Sequence, residues 1–286
     1  MYKKIVVGTD LSDTARIATD RAAALAKSLG SELIIVHAGS DPGGPLEDLA
    51  EAYGATAVVA SGNPVDVLIG EVESRGADLL VVGSVGMSGA KRFMLGNVPN
   101  KVSHQAKSDL LIVKTDPPPS DTGPYKKILV GTDGSRTAME AVQTAAELSK
   151  ELSATLVIVC AYEPLSQSEE DRLRRSSGDI LAQWSADRSA ESVPEEFRWR
   201  IVEATHARDV LERAEDCAGE KGVQPEVRAV EGSPAEVLID TAAAEGFELI
   251  VVGSVGMSGP KRFMLGNVPH RISHHSPVDV LILRTA

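Results

Sequence analysis

Aromatic residues, cysteines and long apolar runs are all scarce in this 286-residue chain, and each scarcity excludes a class of protein. Aromatic side chains make up 3% of the residues, so the core has to be built from valine, leucine, isoleucine and alanine. The two cysteines, Cys160 and Cys217, lack metal-ligand spacing and are expected to be reduced. No segment has the roughly 18 apolar residues of a membrane span, and the opening apolar run is too short for a signal peptide. We therefore expect a cytoplasmic protein with no membrane partner.

Positive charge is also in short supply. The chain has 29 Lys and Arg against 41 Asp and Glu, which gives a formal net charge of −12. Such an acidic surface repels polyphosphate backbones, and no basic cluster offsets it, so a nucleic-acid partner is excluded.

Two repeats show that the chain is duplicated. The segment Val81–Pro99 returns as Val251–Pro269 with one difference, Ala90 against Pro260, and Tyr2–Asp10 returns as Tyr125–Asp133 with one difference. The first repeat is offset by 170 residues and the second by 123, so the second copy holds 47 additional residues. We predict one domain over 1–115, a Pro-rich linker over 116–124, and a second domain over 125–286 with a helical segment at about 163–222, which includes helices at Arg172–Leu181 and Val202–Cys217.

Each copy alternates apolar strands with amphipathic helices, which is typical of the α/β class. Continuous Val/Ile/Leu strands predict a parallel sheet that is covered on both faces and doubly wound, with five strands in each copy. Ligands of such sheets bind at the carboxyl ends of the strands. The Thr-Asp pair after the first strand and the Gly-rich loop after the fourth both fall at that edge.

The Gly-rich loop has the composition of a phosphate site. It consists of Gly83 to Gly86, nine further residues, and then Gly96 and Asn97 at a helix start; the second copy repeats it from Gly253. Glycine permits positive φ and close backbone approach, and a helix start favours an anion. Lys91 and Arg92 in the loop are either a further cation pair for the ligand or a solvated surface pair.

These features together, in the same order twice, resemble a tandem universal stress protein of the ATP-binding type. The resemblance rests on KKIVVGTD, the Gly-2x-Gly-9x-Gly loop, the helix after it and the final LLIV strand, and it covers both halves. It implies a Rossmann-like fold similar to the adenine nucleotide alpha hydrolases, with strand order 3-2-1-4-5, and ATP as ligand, alone or with Mg²⁺. The implied nucleotide-binding residues are Thr9, Asp10, Ala38, Gly83, Val85, Gly86, Gly96, Asn97 and Val98 in the first copy, and Thr132, Asp133, Ala161, Gly253, Val255, Gly256, Gly266, Asn267 and Val268 in the second.

One position departs from the family pattern, which has Ser or Thr after the last loop glycine. Here Asn97 and Asn267 stand there; their amides either donate to a phosphate or cap the following helix. Asp10 and Asp133 either meet the ribose or adenine edge or cap the next helix, although Ser12 and Ser135 are better placed as caps. The histidines show no metal-ligand spacing, and Ser84 and Ser254 have no partner residues typical of a nucleophile.

The resemblance favours an ATP-binding regulator of stress response or growth with at most slow ATP hydrolysis. The alternatives are a cyclic-nucleotide (cAMP) binding protein, an ATP-dependent substrate-activating enzyme, and a ligand-free structural module. The last strands, Asp109–Lys114 and Asp279–Arg284, are expected to pair in an intrachain pseudo-dimer, and a homodimer of whole chains stays open.

Overall fold

The computed structural model describes residues 1–85, 95–116, 119–162, 195–255 and 265–284, without the side chains of 195–206. Several predicted features lie outside these residues: Gly86, Gly256, Lys91, Arg92 and the helix expected over Arg172–Leu181.

The described residues form ten strands and eight helices in alternating order. The strands are β1 (Lys4–Thr9), β2 (Glu32–Ala38), β3 (Thr56–Ala60), β4 (Leu79–Gly83), β5 (Asp109–Val113), β6 (Lys127–Gly131), β7 (Thr155–Tyr162), β8 (Glu226–Glu231), β9 (Leu249–Gly253) and β10 (Asp279–Leu283). The helices are α1 (Asp13–Leu29), α2 (Gly44–Tyr53), α3 (Pro64–Arg75), α4 (Asn97–Gln105), α5 (Arg136–Leu152), α6 (Glu195–Glu220), α7 (Pro234–Glu245) and α8 (Asn267–His275). None of the described helices combines the length and apolar character that crossing a membrane requires.

All ten strands belong to one sheet, in the order β3-β2-β1-β4-β5-β10-β9-β6-β7-β8. Within each half the strands are parallel and run in the order 3-2-1-4-5, so the predicted fold class is confirmed. The halves meet where β10 runs antiparallel to β5, with Leu281 opposite Leu111.

The apolar strands are buried because helices cover both faces of the sheet. Alternate side chains of β1 point to opposite faces, so Ile5 and Val7 join the core beneath α1, α2, α5 and α6, whereas Val6 joins the core beneath the other four helices. Both cores consist almost entirely of aliphatic side chains, as the composition requires.

Helix α6 extends further than the sequence analysis predicted. The prediction ran over Val202–Cys217, whereas the helix runs from Glu195 to Glu220 and supplies the crossover between β7 and β8. Val210 and Ala214 are fully buried against the sheet. Polar and charged residues near both ends of this helix obscure its apolar periodicity in the sequence.

A pair of equivalent polar networks surrounds the β5–β10 junction. The backbone N–H of Lys114 donates to Asp279 Oδ1 at 2.8 Å, and that of Arg284 donates to Asp109 Oδ1 at 2.7 Å. The Lys114 ammonium also donates to the carbonyl of Ser273 in α8 at 2.8 Å, and the Arg284 guanidinium donates to the carbonyl of Ser103 in α4. Each half therefore holds the carboxyl end of a helix that belongs to the other half.

Candidate functional site

Each half has one cleft at the carboxyl ends of its central strands. Cleft one, in the first half, has a volume of about 530 Å³, and cleft two, in the second half, about 640 Å³. All predicted site residues within the described ranges line one of the two: Thr9, Asp10, Ala38, Gly83, Val85, Gly96, Asn97 and Val98 in cleft one, and Thr132, Asp133, Ala161, Gly253, Val255, Gly266, Asn267 and Val268 in cleft two. Gly86 and Gly256 lie outside the described residues.

The Thr-Asp turn that follows β1 shapes one wall of cleft one. Thr9 Oγ1 accepts from the backbone N–H of Leu11 at 3.0 Å, and Asp10 Oδ1 accepts from that of Ser12 at 3.1 Å. Ser12 is the N-cap of α1 and accepts from the N–H of Ala15, which confirms the serine cap. The Asp10 carboxylate thus fixes the turn and still lines the cleft.

The same turn recurs after β6. Asp133 Oδ1 accepts from the backbone N–H of Ser135 at 2.9 Å, and Ser135 is the N-cap of α5. Thr132 Oγ1 accepts from the N–H of Gly134 at 3.2 Å.

The two ends of each Gly-rich loop are hydrogen-bonded to each other. The N–H of Gly96 donates to the carbonyl of Ser84 at 2.8 Å, and that of Gly266 donates to Ser254 at the same distance. Ser84 and Ser254 are 5% and 3% exposed. The chain thus leaves the cleft wall and returns to it at one point. The two serines lie buried beneath the ends of the loop.

Close packing, and not positive φ, explains the glycines among the described loop residues. A Cβ on Gly96 would lie 3.2 Å from the carbonyl oxygen of Ser84, and one on Gly253 would lie 2.9 Å from the backbone of Thr137. Gly83 is less crowded, with its nearest contacts at 3.4 Å. Glycine is therefore required here because backbone segments meet at the cleft floor.

Helices α4 and α8 point their amino ends into the clefts. Gly96 and Gly266 are the N-caps, and neither helix has a side-chain cap. The suggestion that Asn97 and Asn267 cap these helices is therefore wrong; both are the first helical residue, exposed and lining the cleft. The helices begin at Asn97 and Asn267, where the loop pattern predicted a helix start. Because the third position is proline, the N–H groups without an intrahelical partner are those of the first two residues of each helix.

The two clefts share an identical frame. Every position that lines both clefts carries the same amino acid in both halves: Gly8/Gly131, Thr9/Thr132, Asp10/Asp133, Ala15/Ala138, Val36/Val159, Ala38/Ala161, Pro64/Pro234, Leu68/Leu238, Val82/Val252, Gly83/Gly253, Val85/Val255, Gly96/Gly266, Asn97/Asn267, Val98/Val268 and Pro99/Pro269. Buried core positions outside the clefts do differ, for example Val6 against Leu129 and Val102 against Ile272. The positions that line both clefts are thus more alike than core packing alone requires.

Some positions line one cleft only and differ between the halves, for example Ala235 in cleft two against Val65. His37 and Arg271 are two such polar residues that the sequence reasoning missed. His37 lines cleft one and donates from Nδ1 to the carbonyl of Thr9 at 3.1 Å. Its counterpart Cys160 is buried, which raises the pKa of the thiol to about 11. Arg271 lines cleft two, whereas its counterpart Lys101 does not line cleft one. His37 could have been found from its place at the end of β2, and Arg271 from its spacing of four residues after Asn267.

Histidines from both halves meet between α4 and α8. The ring centroids of His104 and His270 are 5.9 Å apart, and those of His270 and His274 are 4.5 Å apart. Burial, followed by the neighbouring histidines, lowers the pKa of His274 to about 4. Within the described ranges no three His, Cys, Asp or Glu side chains are arranged to hold a metal ion.

Comparison with known proteins gives consistent matches. The model of the universal stress protein family matches residues 1–57, 47–114 and 124–284. Universal stress protein Rv1636 of Mycobacterium tuberculosis is 39% identical over 161 residues, which is 56% of this chain and 97% of that protein. Universal stress protein YxiE of Bacillus subtilis is 35% identical over 162 residues, 56% of this chain and 99% of its own length. A universal stress protein structure from Archaeoglobus fulgidus shares the fold, with a TM-score of 0.65, 20% identity and coverage of 99% of this chain and 98% of that one.

Proposed function

The chain belongs to the universal stress protein family, and we propose that it is a cytoplasmic regulator that binds one adenine nucleotide, with ATP as the first candidate, in each of its two clefts. The single observation that carries this proposal is the identity of all positions shared by the two cleft linings. Packing of a duplicated fold leaves room for Val-to-Leu and Val-to-Ile exchanges, as the core shows. A common ligand accounts for the absence of such exchanges at the positions that line both clefts.

The phosphate end of the ligand is assigned to the start of α4 and α8. The two unpartnered N–H groups and the helix dipole favour an anion there, and the exposed Asn97 and Asn267 amides can donate to it. The base and ribose end is assigned to the Thr-Asp turn and to Ala38 and Ala161.

Binding rather than rapid turnover fits the chemistry of the described lining. Ser84 and Ser254 are buried below the loop ends, and the Ser84 hydroxyl accepts from the backbone N–H of Thr115 at 3.1 Å. Burial makes both serines poor candidates for nucleophiles. Asp10 and Asp133 each accept a hydrogen bond from the backbone of their own turn. We therefore expect ATP hydrolysis, with or without Mg²⁺, to be slow.

Replacing the first residue of α4 or α8 by proline tests the site. Proline at that position keeps the helix, because the preceding Gly96 and Gly266 already have extended backbone with ψ of 164°. The change removes the Asn amide and one cleft N–H together. Asn97→Ala and Asn267→Ala are the matched controls, since they remove the side chain alone.

The measurement is equilibrium binding of a fluorescent ATP analogue, with ATP and cAMP as competitors. We expect two sites in the wild type, one in each single proline variant, and intermediate weakening in the alanine variants. Absence of binding in the wild type, or two full sites in the Asn97→Pro/Asn267→Pro chain, would overturn the proposal. If cAMP displaces the analogue more strongly than ATP does, the ligand is a cyclic nucleotide and not ATP.

A further inference from the structure

The two clefts differ in charge although their frames are identical. Among the described residues that line cleft one, the charged group is the Asp10 carboxylate; those that line cleft two include Asp133 and the guanidinium of Arg271. The loop segments 86–94 and 256–264 have the same charged residue types, because they differ only at Ala90 and Pro260. Among the described lining residues, the difference between the clefts in charged side chains thus comes from Arg271.

Arg271 is placed to meet the phosphate end of a ligand. It lies four residues after Asn267 in α8, so both side chains are on the same face of the helix. Asn267 and Arg271 line the same cleft. A cation one turn beyond the helix start lengthens the anion-binding surface past the first phosphate.

Arg271 is also able to change partner. Its Nη2 donates to Glu236 Oε1 at 2.8 Å, and the two side chains are 45% and 60% exposed. An ion pair this exposed contributes little stability, so the guanidinium can exchange the carboxylate for a phosphate at small cost. A phosphate accepts charge-assisted hydrogen bonds from guanidinium in a favourable geometry.

We propose that Arg271 makes cleft two selective for the more highly phosphorylated nucleotide, so that cleft two prefers a nucleoside triphosphate over a monophosphate more strongly than cleft one does. The N–H groups at the helix start bind one phosphate equally well in both clefts. The positive charge of Arg271 attracts each further phosphate in cleft two alone. This inference rests on the proposed nucleotide binding and adds which cleft discriminates between phosphate numbers.

The test measures the ratio of the AMP dissociation constant to the ATP dissociation constant for each cleft. Cleft two is measured in the Asn97→Pro chain with and without Arg271→Gln. Cleft one is measured in the Asn267→Pro chain with and without Lys101→Gln, the matched control. All titrations are repeated in the chain without the proline changes and fitted to a two-site model. The unfolding midpoint of each variant verifies that it is folded.

We expect Arg271→Gln to lower the ATP preference of cleft two about five- to tenfold, mostly through ATP. Lys101→Gln should change the preference of cleft one less than about twofold, because an exposed charge away from the site is screened. Glu236→Gln, which frees Arg271, should raise the preference of cleft two.

Two failures are distinguishable. If neither nucleotide binds the wild type, nucleotide binding itself is wrong and this inference falls with it. If both bind and Arg271→Gln leaves the ratio unchanged, or Lys101→Gln lowers it equally in cleft one, only the role of Arg271 is wrong.

Discussion

Arg21 in α1 forms a buried ion pair with Asp279 at the start of β10, with 3.0 Å between Nε and Oδ2. The Arg21 guanidinium also donates to the carbonyls of Asp121 and Gly123 and stacks on the ring of Tyr125 at 4.4 Å. One side chain thus connects the first half, the segment between the halves and the last strand. The equivalent residue in the second half is Thr144, so Asp109, the counterpart of Asp279, lacks this ion pair.

Replacing Arg21 should therefore be costly. Arg21→Met leaves Asp279 buried without its cation, and we expect a loss of about 3–5 kcal/mol in the free energy of unfolding. Thr144→Met at the equivalent position should cost less than about 1 kcal/mol. Urea unfolding measures both. The Arg21→Met/Asp279→Asn chain should recover part of the loss, and an additive loss in this double variant would contradict the pairing.

Asp109 should make stability depend on pH. Burial raises the pKa of Asp109 to about 6, while hydrogen bonds from Arg284 N–H and the Tyr2 hydroxyl act in the opposite direction. The folded chain thus binds more protons than the unfolded chain between about pH 4 and 6, so this residue's contribution to stability falls as the pH rises through that range and is constant above it.

The Asp109→Asn variant isolates that contribution. A shift of about two pKa units corresponds to about 3 kcal/mol, and the wild-type stability minus that of Asp109→Asn should fall by roughly this amount between pH 4 and 7. Asp48→Asn, at an exposed position of α2, is the control. A difference that is independent of pH would show that the pKa of Asp109 is the same in the folded and the unfolded chain.

Gly134 should be intolerant of a side chain. Its φ is +77°, and a Cβ would lie 2.6 Å from Val210 Cγ2 in α6. Gly30 has a similar φ of +67° with nothing within 4 Å, so Gly30→Ala reports backbone strain alone, about 1 kcal/mol. Gly134→Ala should cost a further 1–3 kcal/mol from overpacking, roughly, in urea unfolding. Equal losses in the two variants would contradict the packing of α6 on this turn.

The strands were predicted because aliphatic runs and turn residues are local signals, whereas their order followed from the resemblance to universal stress proteins. The helix starts at Asn97 and Asn267 were also predicted, because each follows the last glycine of the loop. Convergence of Asp10 and the Gly-rich loop followed from the rule for parallel sheets, and Ala38 was implied by the family resemblance. The roles of Gly96 and Gly253 were not predictable, because they depend on which backbone segment lies opposite each glycine.

The most direct test of the central claim is a native mass spectrum of the chain purified without added nucleotide and then titrated with ATP. The account predicts that the wild-type chain binds two nucleotides at saturation, one in each cleft. It predicts one in Asn97→Pro, one in Asn267→Pro and none in the double variant. A wild-type chain that stays empty at saturating ATP, or a double variant that still holds two nucleotides, would contradict the account.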